Sequence, residues 1–583
     1  MKFPSAFALG LATISTATKA PIGQKNDERP NIVLVLTDDQ DLHMQSVDYM
    51  PLLKKHIIDQ GTFFKRHYCT TAICCPSRVT LWTGKNAHNT NVTDVMPPYG
   101  GYQKFIDQGF NDAYLPVWLQ DAGYSTFYTG KLFNHHTVVN WNSPHPAGWT
   151  SSDFLLDPFT YQYYNSTFQR NEHPPVSHEG EYSTDVLAEK AYGLLDEGVK
   201  SGKPFFLVAA PIAPHSNVDP TAFKPGEGTL MTAPLPAERH KHLFPGPSGA
   251  SWVKHLNQLT EEVIAYNDEF YRARLQTLQA VDELIEGLVN RLTDYGILDN
   301  TYFIFSTDNG YHISQHRLAP GKECGFEEDI NIPLIIRGPG VPQGEETNIV
   351  TAHTDLAPTI LKIANGDWKR KDLDGSAIPL DSQGLKKAET IRQEHVNVEF
   401  WGRSLPEGIH KFSLDDGKVV YYGSNNTYKA LRIISDSYNL YYSVWCTNEH
   451  ELYDLATDPH QVNNIYTASF DTSGLSSTQS KLDLSKLIPR LDALLMVTKS
   501  CKGHTCVQPW SVLHPAGNVR TLDDALSPRF DTFYTEEMAE RVIRYDKCEL
   551  GYIVDSEGPQ EVFAFKKTRQ VGVIILFCES SSL

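Results

Sequence analysis

Hydrophobic residues are arranged in two ways along the chain. Residues 31–36 read Asn-Ile-Val-Leu-Val-Leu, an unbroken β-branched and leucine run. A strand buried on both faces takes this form, because neither side meets water. Segments 125–128, 205–209 and 302–305 behave alike. Helical patterns separate them, most clearly over 261–292, where apolar residues recur at helical spacing with charges between. Strands alternating with helices predict an α/β fold: a large mixed, mostly parallel sheet flanked by helices.

The pattern changes after about residue 393. Short Tyr- and Val-rich runs follow at 396–401, 419–422, 430–434 and 438–445, divided by turn residues such as Gly423-Ser424-Asn425-Asn426. They predict an antiparallel meander, with a helix over about 482–497 packed on it. The expected organisation is a catalytic domain over 28–392, a smaller C-terminal α+β subdomain over 393–560 and an unstructured tail over 561–583. Residues 1–20 begin with a basic residue, pass through a mildly apolar stretch and end in small residues. This has the form of a secretory signal peptide.

Hydrophobic residues make up 40% of the 583 and charged residues 21%, as in ordinary globular proteins. The net charge of -19 argues against nucleic acid or an anionic membrane as partner. No run is long enough to span a bilayer. An anionic substrate would need a strong local positive site. Asn91, Asn165 and Asn425 are N-glycosylation acceptors. Nine cysteines are too few for a disulfide scaffold, but Cys501 and Cys506 are close enough to close a small loop. Both features fit a secreted protein.

Each buried run ends in polar residues. The first leads into Asp38-Asp39, the second into Gly130-Lys131, the third through Pro211 to His215, the fourth into Asp308-Asn309-Gly310. In open α/β sheets ligands bind beyond the carboxyl ends of the strands, so a parallel sheet would gather these residues at one edge. Asp38, Asp39, Asp308 and Asn309 offer hard oxygen ligands, suited to Ca²⁺ or Mg²⁺ rather than zinc. Lys131 and His215 suit an anion and its leaving group. Any one of these signals alone is a turn or a cap; four strand ends together predict a site. In Cys74-Cys75-Pro76-Ser77-Arg78, Pro76 suits the first turn of a helix. Cys74 would then sit just before an N-terminus that favours negative charge.

Cys74-x-Pro76-Ser77-Arg78 followed by Thr83-Gly84 resembles the signature of the sulfatases of the alkaline-phosphatase-like superfamily. The resemblance runs from about residue 30 to 559. It is nearest to fungal arylsulfatases and similar to N-acetylglucosamine-6-sulfatases. It implies that a modifying enzyme oxidises Cys74 to formylglycine (3-oxoalanine). It also implies that Asp38, Asp39, Asp308, Asn309 and residue 74 bind one Ca²⁺. Arg78 would hold the hydrated aldehyde, Lys131 and Lys322 the sulfate oxygens, and His215 would serve the departing alcohol or phenol. The implied reaction is hydrolysis of an aryl or carbohydrate sulfate ester. Many members of the family carry a histidine two residues after the position of Lys131, assigned to sulfate elimination; this chain has Asn134 in that region, followed by His135 and His136. These two are either its replacement or two surface histidines, and the elimination base stays open. Rival readings are a phosphate or phosphonate monoester hydrolase, an inactive secreted binding protein, and a hydrolase using an unmodified Cys74 thiolate.

Overall fold

The computed structural model describes residues 28–224, 228–243, 261–410, 412–413, 419–420, 425–466, 483–566 and 572–575. The expected signal peptide lies outside them.

A ten-stranded sheet forms the centre. Its strands are β1 (Asn31–Thr37), β2 (Thr62–Phe64), β3 (Ser125–Lys131), β4 (Ser151–Leu155), β5 (Asn165–Arg170), β6 (Val176–Glu179), β7 (Phe205–Ala210), β8 (Thr301–Thr307), β9 (Leu334–Arg337) and β10 (Glu345–Thr347). The order is β10-β2-β9-β8-β1-β7-β3-β4-β5-β6. From β8 to β4 all pairs are parallel, while β8–β9, β2–β9, β4–β5 and β5–β6 are antiparallel.

Period-two alternation decides which face each side chain takes. Ile32, Leu34 and Leu36 join one core with Cys75, Val79 and Trp82 of helix α1 (Cys74–Thr83). Val33 and Val35 join the other, beneath helices α2 (Ser183–Lys200) and α3 (Glu261–Asp294). The strands are covered on both sides, which accounts for their unbroken apolar runs.

Beyond this sheet, β11 (His395–Phe400), β12 (Tyr428–Ile434), β13 (Asn439–Trp445) and β14 (His450–Asp454) form an antiparallel meander in chain order. Helix α4 (Leu484–Thr498) packs Leu487, Leu491 and Leu494 on Leu440 and Tyr442. Val396, Val398 and Phe400 share another core with Tyr68, Ile330 and Ile332, which joins the two sheets.

Two expectations need correction. Val419–Val420 leaves the meander and pairs with Phe412–Ser413 in a separate ribbon. The stretch from 561 is not without structure: Glu561–Ala564 pairs antiparallel with Gly572–Ile575, and Val562 is buried in the core beneath α4. A short strand covering an apolar face has too few residues to show as a periodic pattern. Cys501 and Cys506 are disulfide-bonded, and Cys446 is bonded to Cys548 across 102 residues. Among the described residues no helix is long and apolar enough to cross a membrane.

Candidate active site

The carboxyl ends of the central parallel strands converge, as the strand-end residues predict. β1 delivers Asp38 and Asp39, β3 ends on Lys131, β7 leads to His215 and β8 delivers Asp308 and Asn309. Helix α1 begins at Cys74 itself, one residue sooner than expected, and all ten of its residues are buried. Ile73 supplies no side-chain cap. Cys74 Sγ lies 3.5 Å from Asp38 Oδ1 and 3.8 Å from Asp39 Oδ1. Cys75, its neighbour, turns into the apolar core.

The cations arrive from three directions. Lys131 Nζ donates to Asp38 Oδ2 at 2.6 Å. Lys322 Nζ donates to both oxygens of Asp39, at 2.7 and 2.5 Å. Arg78 Nε donates to Asp308 Oδ2 at 2.8 Å, its Nη1 to the Lys131 carbonyl at 2.7 Å, and its Nη2 lies 3.5 Å from Asp38. His215 Nδ1 donates to the Ser216 carbonyl at 2.8 Å, which leaves Nε2 directed to Asp39 Oδ2 at 3.5 Å. Every predicted site residue, Asn309 included, is in this cluster.

Asp39 adopts a left-handed backbone (φ 63°) and its N–H donates to Asp308 Oδ1 at 3.0 Å. Burial raises the pKa of Asp39, and Lys322 and His215 only partly oppose it. Burial also works to raise Asp308, but Arg78 and Lys131 outweigh it and hold Asp308 well below the carboxylate range. Burial pushes the Cys74 thiol well up, despite Lys131 and Lys322. The site therefore does not favour a thiolate; desolvation exceeds the pull of the helix terminus.

The donor set suits a hard divalent cation. Carboxylates of Asp38, Asp39 and Asp308 adjoin the Asn309 amide, whose Oδ1 is buried without a hydrogen-bond partner. Asp38, Asp39, Cys74 and His215 each bring one ligand atom within 4.8 Å of the others. An oxygen-rich set of this kind matches Ca²⁺ or Mg²⁺.

The sulfatase family model matches residues 30–366. The chain belongs to the sulfatase family. This sulfatase is 38% identical to the arylsulfatase of Volvox carteri, over 96% of the chain and 86% of that protein. It is 33% identical to the N-acetylglucosamine-6-sulfatase of Capra hircus, over 83% and 86%. Its fold is similar to that of BT4656 in complex with D-glucosamine-2-N,6-O-disulfate. The TM-score is 0.58 and the identity 21%, covering 78% of this chain and 96% of that one. Membership makes the chain a sulfuric ester hydrolase.

His136 departs from the surface-histidine reading. It is fully buried, its ring 4.3 Å from Tyr102 and 5.3 Å from Phe154, and neither ring nitrogen has a partner. Burial lowers it to about 3, so it is a poor proton acceptor in this sulfatase at neutral pH. His135 is half-buried with φ 55°, and Asn134 Nδ2 donates to the Tyr161 hydroxyl at 2.6 Å. Two residues in the site carried no sequence signal. Tyr161 stacks on His215, ring centres 4.2 Å apart, with Lys131 Nζ 4.8 Å above its ring. Glu407 Oε1 lies 3.0 Å from Lys322 Nζ.

Proposed function

We propose that this sulfatase hydrolyses sulfate monoesters, aryl sulfates among them, with residue 74 as nucleophile once a modifying enzyme has oxidised Cys74 to formylglycine, and with Ca²⁺ held by Asp38, Asp39, Asp308, Asn309 and residue 74. The observation that carries this reading is the position of Cys74 Sγ, against two carboxylates and beneath Lys131 and Lys322. When bound, Ca²⁺ supplies fixed positive charge beside residue 74 and lowers the proton affinity of an oxygen there. A hydrated aldehyde supplies two hydroxyls, one to attack sulfur and one to lose its proton and expel sulfate. A thiol has neither, and the burial that keeps Cys74 protonated weakens it further as a direct nucleophile.

The remaining roles follow from charge. Negative charge spreads over the sulfuryl and leaving oxygens in the transition state, and fixed cations stabilise it in a site closed to water. Lys131 and Lys322 bind the sulfuryl oxygens. Arg78, clamped by Asp308 and the Lys131 carbonyl, holds residue 74 and balances its charge. His215 presents Nε2 to the leaving oxygen, fixed by Ser216 on one side and the Tyr161 ring on the other. Asp308 is too strongly anionic to take a proton readily; it positions Arg78 and the Asp39 backbone. The two disulfides support secretion through an oxidising compartment.

The test is turnover of 4-nitrophenyl sulfate. Cys74→Ala lowers kcat by roughly four to six orders of magnitude with the circular dichroism spectrum retained. Removing divalent metal lowers the rate and added Ca²⁺ restores it. Near-normal turnover in the folded variant, or in verified metal-free protein, contradicts the proposal.

A further inference from the structure

Lys322 is held by two carboxylates from distant parts of the chain. Asp39 comes from the end of β1, and Glu407 from the segment after β11, beyond the joint between the two sheets. Glu407 is only 4% exposed. Its Oε2 accepts from Ser216 Oγ at 2.8 Å and from the Tyr311 hydroxyl at 3.2 Å, and its N–H donates to the Pro320 carbonyl at 2.6 Å. Two residues earlier, the Leu405 N–H donates to Glu323 Oε2, also at 2.6 Å. The segment is thus fixed against the stretch that carries Lys322. Burial works to raise the pKa of Glu407, but Lys322 and His215 lower it to about 2, so it is a carboxylate at neutral pH. An ammonium group has three N–H donors. With Asp39 and Glu407 both paired to Lys322, part of its positive charge is already compensated when a sulfuryl oxygen reaches it.

This arrangement bears on which ester the site accepts. A sulfate monoester carries one negative charge. A phosphate monoester loses its second proton near pH 6 and then carries two. Near a fixed carboxylate, each added negative charge on the ligand is repelled through a medium of low dielectric.

On the reading of the site given above, we propose that Glu407 is a specificity-determining positioning residue, which acts through Lys322 to make the site select monoanionic sulfate esters over dianionic phosphate esters. Discrimination of this sort works against the wrong ligand as much as for the right one. The C-terminal region thereby takes part in substrate choice, although Asp38, Asp39, Arg78, Lys131, His215, Asp308 and Lys322 all come from the first 322 residues.

The experiment compares 4-nitrophenyl sulfate, 4-nitrophenyl phosphate and the monoanionic 4-nitrophenyl phenylphosphonate in wild type, Glu407→Gln and Glu407→Asp. Wild-type sulfate turnover tests the earlier reading by itself. The kcat/KM ratios test this one. Glu407→Gln raises the phosphate-to-sulfate ratio about tenfold, and the gain grows as pH rises through 6, where the phosphate ester becomes a dianion. The phosphonate ester follows the sulfate, because its charge is the same. Glu407→Asp keeps the wild-type ratio even where both rates fall. If Glu407→Gln does not fold, Glu407→Asp against Glu407→Asn makes the same comparison of charge at constant length. An unchanged phosphate-to-sulfate ratio on removing the charge overturns the proposal, and so does a phosphonate ester that rises with the phosphate.

Discussion

At the joint between the two sheets, Glu399 accepts from Lys429 Nζ at 2.7 Å and lies 2.9 Å from His88 Nδ1. In the site, Asp39 accepts from Lys322 Nζ at 2.7 Å and from Asn309 Nδ2 at 2.8 Å. Both carboxylates are fully buried, yet their acidities move in opposite directions. Burial acts to raise the pKa of each. At Glu399 the charges of His88 and Lys429 outweigh it, and the pKa falls to about 2. At Asp39, Lys322 and His215 do not outweigh it, because Glu407 and Asp38 push the other way. At the joint opposite charges are paired, and Lys429 also lies 3.7 Å from Glu557 Oε2. His88 Nε2 faces the Cys501 carbonyl at 2.8 Å, and Lys429 reaches the Lys499 carbonyl at 3.2 Å and lies 4.2 Å from the Trp401 ring centre. The site keeps negative charge that its own cations do not match, together with the unpartnered Asn309 Oδ1. Buried ionic groups of the first kind hold parts together; those of the second kind have room for another ion.

The contrast breaks most sharply through catalysis. Lys131→Ala removes one of the two lysines proposed for the sulfuryl oxygens, and in protein that remains folded kcat/KM for 4-nitrophenyl sulfate falls about 10²–10³-fold, beside a loss of stability because Asp38 is left buried without this partner. Loss of stability with kcat/KM retained would place Lys131 with the joint instead.

Glu399→Gln sharpens the comparison from the other side. It leaves Lys429 buried with only the more distant Glu557 Oε2, at 3.7 Å, as a charged partner and costs about 3–5 kcal/mol of stability. Protein that remains folded keeps its kcat. The pH dependence follows from the depressed pKa. The folded carboxyl lies below the ordinary value of 4.5, so its stabilisation is complete above about pH 4.5 and is lost as pH falls toward 2. Acid unfolding of the wild type is therefore steeper in this window than that of Glu399→Gln. Equal slopes would deny Glu399 this role.

The sequence predicted the central sheet because β1, β3, β7 and β8 are covered on both faces and carry unbroken apolar runs. Their polar ends then had one place to meet, and the cluster around Cys74 was legible for that reason. Glu407 and Tyr161 were not, because they lie in segments without periodic pattern and reach the site through tertiary packing. For His136 the sequence left two readings open, and neither a surface position nor a polar setting matches its spatial neighbours, Tyr102 and Phe154. The Cys446–Cys548 bond spans too much chain for spacing to reveal it. The helix terminus at Cys74 was placed nearly correctly, but its effect on the thiol was overrated, since local sequence does not report the desolvation imposed by the surrounding sheet.

The most direct test is mass spectrometry of the peptide containing residue 74, taken from protein that turns over 4-nitrophenyl sulfate. The account predicts a peptide lighter than the encoded one, with sulfur and two hydrogens replaced by one oxygen, in proportion to the active fraction. A fully active preparation in which residue 74 is entirely unmodified cysteine would contradict it.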